Sequence, residues 1–319
     1  MTTKRDLRIV FMGTPDFAVE SLKALLDNHY NVVGVITAPD RPAGRGQKLR
    51  SSAVKSFAQT RGLTILQPTN LKDESFLDTL KGLNANLQVV VAFRMLPKAV
   101  WQMPAYGTFN LHASLLPQYR GAAPIHWAII NGETTTGVTT FFIDEKIDTG
   151  AIIAQEKISI DADENVGQLH DRMMTEGAKL VVETVRLIEA DTVSTKKQLQ
   201  TEQLKAAPKL NSDNCKIDWS LSITDIYNKI RGLNPFPTAW CYLNNGDNQN
   251  TKVKLFEVKK EHAEHDYAPG TLISSKSSLK VACHGGFIDI LTIQLPGKRK
   301  MDIKSLLNGF EFSENAIFL

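Results

Sequence analysis

Two polar side chains, two positions apart, could stabilise a negatively charged oxygen. Asn110 and His112 stand in the run Phe-Asn-Leu-His, which predicts a strand over residues 108–112, and alternate residues of a strand point to the same face. An amide and an imidazole at a strand end can donate to a carbonyl oxygen and stabilise the oxyanion formed when that carbonyl is attacked. A buried Asn and His with satisfied hydrogen bonds would have the same spacing.

A carboxylate further along the chain could support this pair. Asp148 lies in the polar stretch 144–150, which ends in Gly150 and separates two predicted strands. A carboxylate beside an imidazole orients the ring and favours its charged form. The alternative is a turn aspartate that hydrogen-bonds its own backbone.

The elements that must position these residues alternate between strands and helices over residues 1–190. Apolar runs at residues 7–12, 31–37 and 87–93 predict buried strands, and helical spacing of apolar residues predicts helices between them. This pattern predicts an α/β domain with an open, Rossmann-like parallel sheet covered on both faces. Ligands bind such sheets at the carboxyl ends of the strands. The turn 13–18 lacks Gly-x-Gly-x-x-Gly, so a dinucleotide site is not supported.

A second domain is expected after a linker. Residues 191–208 are polar and lack periodicity, which predicts a linker, and residues 209–319 hold one helix and several short strands. A β-hairpin is predicted at the turn sequence Asn244-Asn245-Gly246-Asp247. Many short strands in a small domain predict a barrel of the OB type.

A basic segment follows the second predicted strand. Residues 39–50 carry Arg41, Arg45, Lys48 and Arg50 against the single acid Asp40, and Gly and Pro residues predict a loop. Positive charge on a loop at the ligand edge suits the phosphates of a polyanion. A solvated loop without a partner would look the same.

Composition excludes several classes of protein. The net charge is +3, from 37 basic and 34 acidic residues, too small for a dedicated nucleic-acid domain, so a basic surface must be local. Three distant cysteines predict reduced thiols without a metal site or disulfide. No apolar run is long enough to span a membrane. The first residues do not resemble a secretory signal, so we expect the cytoplasm.

The motifs together resemble the methionyl-tRNA formyltransferase family over nearly the whole chain. The carrying residues are Asn110-x-His112-x-Ser114-Leu115-Leu116-Pro117, the following Arg120-Gly121-Ala122-Ala123-Pro124-Ile125, and Asp148-Thr149-Gly150. The resemblance implies a formyltransferase domain with Asn110, His112 and Asp148 as the catalytic residues. It also implies that Ser114, Leu115, Leu116 and Pro117 contact the co-substrate 10-formyltetrahydrofolate, with no metal. The chain departs from the family at Phe93, Arg94 and Lys146, near the expected folate pocket.

The acceptor is a separate question, because related enzymes formylate glycinamide ribonucleotide or sugar nucleotides with the same core. The segment 41–48 resembles the family's tRNA-contacting loop, which implies that Arg41, Arg45 and Lys48 bind tRNA. Residues 217–220 and 234–240 resemble its C-terminal tRNA-binding barrel. The implied reaction is formyl transfer to the α-amine of initiator methionyl-tRNA for translation initiation. We expect a monomer, although no feature of the sequence specifies the oligomeric state. The alternatives are a formyltransferase acting on a small amine and a tRNA-binding module whose first domain is inactive.

Overall fold

The computed structural model describes residues 4–43, 48–199, 203–246 and 249–319. The chain divides into two compact units. The first comprises Met1–Gly121, Thr136–Ile158 and His170–Ala206, and the second comprises Ala122–Thr135, Ser159–Leu169 and Ala207–Leu319. Within the described ranges, no helix combines the length and apolar character needed to cross a membrane.

The regular elements follow one another closely along the chain. The strands are β1 Arg8–Gly13, β2 Asn31–Ile36, β3 Arg41–Ala43, β4 Lys48–Arg50, β5 Ile65–Leu66, β6 Leu87–Val91, β7 Thr108–His112, β8 Arg120–Gly121, β9 Thr135–Phe142, β10 Ile152–Ser159, β11 Ala206–Ala207, β12 Ala239–Asn244, β13 Asn250–His262, β14 Leu272–Ser274, β15 Leu279–Cys283, β16 Gly286–Gln294, β17 Met301–Asp302 and β18 Ile317–Phe318. The helices are α1 Asp16–Asp27, α2 Ala53–Thr60, α3 Glu74–Gly82, α4 Lys98–Trp101, α5 Pro124–Ile130, α6 Val166–Glu189, α7 Ile223–Leu233 and α8 Ile303–Leu307.

The first unit is built on an open sheet of order β10-β9-β7-β6-β1-β2-β5. The five strands from β7 to β5 run parallel, as predicted. The expectation of a wholly parallel sheet was wrong at one edge, because β9 runs antiparallel to β7. A parallel partner needs a crossover, usually a helix, between the two strands. The helix between them, α5, packs instead on α7 within the second unit.

Packing on the two sheet faces determines where the polar residues of β7 can point. Gly177 lets α6 approach β7 closely, since a Cβ there would lie 2.8 Å from the Cδ2 atom of Leu111. Asn110 is on the opposite face, in register with Val90 of β6. Val90 packs there with Leu96 and Val100 around α4. Apolar side chains therefore cover both faces, and the polar pair emerges where β7 ends.

The second unit contains the predicted antiparallel barrel, which is nearly closed. The strand order is β14-β15-β16-β13-β12-β18, with β17 paired to β16. Hydrogen bonds join the two ends, because the Phe318 amide donates to the Gly270 carbonyl at 2.9 Å. Strands β12 and β13 pair from Ala239 to Asn244, as the turn sequence predicted; Asp247 of that sequence lies outside the described residues. Helix α7 begins at the cap Ser222 and buries Ile226 and Ile230 against the barrel core.

Candidate active site

Strand β7 presents Asn110 at the carboxyl end of the parallel strands, as the alternation predicted. The side chain is partly buried, and its Oδ1 atom is fully buried without a hydrogen-bond partner among the described residues. Buried polar atoms in proteins are nearly always hydrogen-bonded. The Oδ1 atom is thus an acceptor that a donor on a bound molecule can satisfy, at the edge where such sheets bind ligands, and the amide nitrogen is the group that could donate.

His112 ends the same strand and is held between two groups. Its Nε2 atom lies 2.9 Å from the carbonyl oxygen of Tyr119. A carbonyl only accepts, so Nε2 carries the proton of this hydrogen bond. The Nδ1 atom faces the Oδ2 atom of Asp148 at 3.8 Å, which is too long for a direct hydrogen bond. Nδ1 is therefore the ring nitrogen that remains open to a reacting group.

Asp148 approaches His112 from the loop between β9 and β10. Its Oδ2 atom accepts a hydrogen bond from the Gly121 amide at 3.0 Å, and 13% of its side chain is exposed. The residue has a left-handed φ of 54°, a conformation that Asp tolerates better than most residues. The structure thus brings together Asn110, His112 and Asp148, the three residues that the sequence predicts as a group. An amide, an imidazole that can take up a proton and a carboxylate at one strand end can stabilise a developing oxyanion and carry a proton.

The segment expected to contact folate is fixed to the sheet by its backbone. The Thr139 hydroxyl donates to the Ser114 carbonyl at 2.6 Å, and the Gln155 amide donates to the Leu116 carbonyl at 3.0 Å. Ser114 is fully buried, and its hydroxyl donates to the Gln118 carbonyl. Leu115 and Pro117 remain partly exposed. Contact between this segment and a folate stays a prediction, and its exposed portion is the part available for it.

The basic segment contains a short hairpin instead of the loop that its Gly and Pro residues predicted. Strands β3 and β4 pair antiparallel, with Arg41 opposite Arg50, because only four residues separate them. Both arginines are exposed. Arg45 lies outside the described residues. Of Lys48, only the backbone position on β4 is described.

A further cation that departs from the family pattern lies close to this hairpin. The Arg94 guanidinium donates to the carbonyls of Pro68 and Thr69. Partial burial, and then the positive charge of Arg41, lower the pKa of Arg94 from its usual value. The nearby Asp40 carboxylate forms an ion pair with Lys55, and the hydrogen bond from Lys55 lowers the pKa of that acid. Its negative charge is therefore balanced by Lys55 and does not offset the arginines. This part of the surface therefore keeps a local excess of positive charge.

Three residues that hold the site are not predicted as site residues by any sequence pattern considered above. They are Tyr119 and Gly121, which bond His112 and Asp148, and Gln198, which donates to the Asp148 carbonyl at 3.0 Å. Gly121 belongs to the quoted Arg-Gly motif and Tyr119 directly precedes it, so the position of both residues in the sequence was a usable signal. Gln198 lies in the predicted linker, where no local pattern distinguishes it.

Metal-binding side chains do not cluster in the described ranges. No group of three or more His, Cys, Asp or Glu residues is placed to hold an ion there. Cys215, Cys241 and Cys283 are buried free thiols, and burial raises the pKa of the Cys241 thiol above its usual value. Burial also raises the pKa of the Cys215 and Cys283 thiols, so all three are enclosed and favour the protonated form, which is a poor nucleophile.

Family models match both parts of the chain. The model described as Formyl transferase matches residues 7–185. The model described as Formyl transferase, C-terminal domain, matches residues 209–311. The catalytic candidates lie within the first match, and the barrel strands lie largely within the second.

Curated relatives match over almost their full lengths. The methionyl-tRNA formyltransferase of Flavobacterium johnsoniae is 59% identical over 310 residues, which cover 97% of this chain and 98% of the relative. That of Bacteroides fragilis is 50% identical over 315 residues, covering 98% and 97%. Both units of the chain therefore have counterparts in these relatives.

Solved structures with lower sequence identity share the fold. The N-formyltransferase from Helicobacter canadensis, solved with folinic acid and dTDP-3-aminofucose, has a TM-score of 0.63 at 21% identity, covering 89% of this chain and 98% of that one. HypX from Aquifex aeolicus, solved with tetrahydrofolic acid, has a TM-score of 0.65 at 16% identity, covering 96% and 47%. At these identities the likeness concerns the fold alone.

Proposed function

Because the chain belongs to the methionyl-tRNA formyltransferase family, we propose that Asn110, His112 and Asp148 carry out formyl transfer to the α-amine of methionyl-tRNA. The observation that supports these roles is the position of the Asn110 side chain on β7 and of the His112 Nδ1 atom, 3.8 Å from Asp148, at the same strand end. The donor in this proposal is 10-formyltetrahydrofolate. When bound, it supplies the formyl group and a leaving nitrogen.

The residues present fit such a donor. A formyl oxygen needs hydrogen-bond donors where negative charge develops on it, and the Asn110 amide and His112 lie together at that edge. Each such donor contributes about 3 kcal/mol to transition-state stabilisation. Leu115 and Pro117 offer partly exposed apolar surface beside them for the folate. No protein nucleophile is needed, because an α-amine with a pKa of about 7.7 is partly neutral at pH 7.

His112 and Asp148 would manage the proton that the amine must lose. The Tyr119 carbonyl keeps one proton on Nε2, so Nδ1 is the atom that would take the amine proton. The protonated Nδ1 would then donate a hydrogen bond to the formyl oxygen and release its proton to the leaving nitrogen as the bond between that nitrogen and the formyl carbon breaks. Asp148 stabilises the positive charge that the ring then carries. The Gly121 amide keeps this carboxylate oriented towards the ring while the charge changes.

The tRNA would contact the protein mainly through its phosphates, by electrostatic interaction with basic side chains. Arg41, Arg45 and Lys48 are the proposed contacts on the first unit, and residues 209–319 are proposed as the tRNA-binding barrel. The enzyme would work as a monomer in the cytoplasm, on initiator methionyl-tRNA.

The first experiment is a formylation assay. The protein is incubated with 10-formyltetrahydrofolate and either initiator methionyl-tRNA, elongator methionyl-tRNA or an amino-sugar nucleotide, and the formylated product is measured. We expect formyl-methionine from the initiator tRNA alone. Formylation of the amino sugar but not of either tRNA would contradict the proposed acceptor. Tight tRNA binding without any transfer would contradict the catalytic roles.

Arg41→Ala should raise the KM for methionyl-tRNA and leave the KM for folate unchanged. The loss of one phosphate contact lowers affinity and reduces the slope of log affinity against log salt by about one unit. The KM for methionyl-tRNA at several salt concentrations measures this, with the KM for folate as the internal reference. Arg61→Ala is the matched control, because Arg61 is an exposed arginine that lies over the Phe57 ring on α2. Equal salt slopes for Arg41→Ala and the wild type would exclude Arg41 from the tRNA site.

A further inference from the structure

The segment that follows α6 takes part in the site, although its composition predicted a linker. We call residues 196–199 and 203–205 the connecting segment. Its residue Gln198 is only 6% exposed. The Gln198 amide nitrogen donates to the Asp148 carbonyl at 3.0 Å and to the Gly150 carbonyl at 2.8 Å. The connecting segment thereby holds both ends of the turn that presents the catalytic carboxylate.

The amide of Gln198 can adopt only one orientation here. Its oxygen accepts from the Nε and Nη2 atoms of Arg120 at 3.2 and 2.7 Å. Guanidinium groups only donate and backbone carbonyls only accept, so exchanging the amide oxygen and nitrogen would break all four contacts. The four contacts together therefore need a side chain that donates at one atom and accepts at the other.

The same segment also holds the other neighbour of His112. The Tyr119 amide donates to the Lys205 carbonyl at 2.6 Å, and the Lys205 amide donates to the Oε1 atom of Gln118 at 2.8 Å. Tyr119 is the residue whose carbonyl bonds the Nε2 atom of His112. Both groups that flank the imidazole are therefore fixed from the connecting segment, and the Lys196 backbone ties that segment to Ile152 of β10 by two hydrogen bonds of 2.8 Å.

We propose that Gln198 is a positioning residue for formyl transfer, holding the left-handed turn at Asp148 so that its carboxylate faces the Nδ1 atom of His112. This inference rests on the proposed roles of His112 and Asp148. A non-glycine residue in the left-handed region persists only when its surroundings hold it there. The two hydrogen bonds from Gln198 act on the backbone of this turn directly.

The test is a pair of substitutions combined with a change at Asp148. Gln198→Glu keeps the shape and the contact with Arg120 but cannot donate to the two carbonyls. Gln198→Met has similar length, no donor and no charge, and separates lost donors from added charge. We expect either variant to lower kcat by about 10- to 100-fold, as small misplacements of catalytic groups do. The KM for folate and the KM for tRNA should both stay within about twofold. Leu199→Ala, at a neighbouring side chain that is 68% exposed, is the matched control.

The decisive comparison is made in the Asp148→Asn background. A residue that acts only through Asp148 should cost less than about twofold there, since coupled residues are not additive. An equal loss of kcat in both backgrounds, an unchanged kcat in the single variants, or a loss confined to either KM would each overturn the proposal. All rates are measured well below each variant's Tm, so that unfolding does not contribute. Wild-type activity of Asp148→Asn itself would instead overturn the proposed role of Asp148.

Discussion

His112→Ala should lower the kcat for formylation by about 10³-fold and leave tRNA affinity within about twofold. The substitution removes a donor to the formyl oxygen, which alone costs about 10²- to 10³-fold, and it also removes the group that takes the amine proton. Asp148 would then lose the positive charge that it stabilises. The measurement is single-turnover formylation at saturating folate, together with a direct tRNA binding assay.

A matched histidine separates this effect from the loss of any imidazole. The Nε2 atom of His126 also bonds a backbone carbonyl, that of Phe236 at 3.2 Å, within the second unit. His126→Ala should retain the turnover of the wild type within a few-fold. If His112→Ala turned over as fast as His126→Ala, the assignment of His112 would be wrong.

Gly150→Ala should abolish most of the activity through the backbone. A Cβ at this position would lie 1.6 Å from the carbonyl oxygen and 2.9 Å from the carbonyl carbon of Phe142. These atoms belong to the backbone where β9 leads into the loop, and Phe142 donates from its amide to Ala151 at 3.0 Å. The loop must therefore move, and Asp148 moves with it. We expect a loss of at least 10²-fold in kcat and a destabilisation of about 1–3 kcal/mol, as overpacking causes.

Gly82→Ala tests whether the effect comes from the clash. A Cβ on Gly82, at the end of α3, meets nothing within 4 Å, and alanine favours helices more than glycine does. Its kcat should be unchanged and its Tm equal or higher. Thermal unfolding and steady-state kinetics on both variants provide the comparison. A Gly150→Ala protein with normal kcat would show that the position of Asp148 does not matter for the reaction.

The types of neighbouring residues were sufficient to predict many of the strands and helices. Strand β7 could be predicted over residues 108–112, because the alternation of apolar and polar residues is visible in five neighbouring residues. The buried strands β1 and β6 follow from short apolar runs, and the pairing of β12 with β13 follows from the turn residues between them. Asn110 and His112 could be assigned to one face from the alternation alone. The resemblance of the motifs to a family then supplied Asp148 as the third member.

Only the tertiary structure decided which groups surround the reacting atoms. The direction of β9 depends on where α5 packs, which no periodicity in β9 itself encodes. The approach of Asp148 to His112 depends on a left-handed turn, on the Gly121 amide and on Gln198, which lies 50 residues further along the chain. Sequence patterns report the environment of neighbouring residues, whereas hydrogen bonds between distant segments form only after the chain has folded. The candidate catalytic residues could therefore be named from the sequence, but the residues that hold them in position could not.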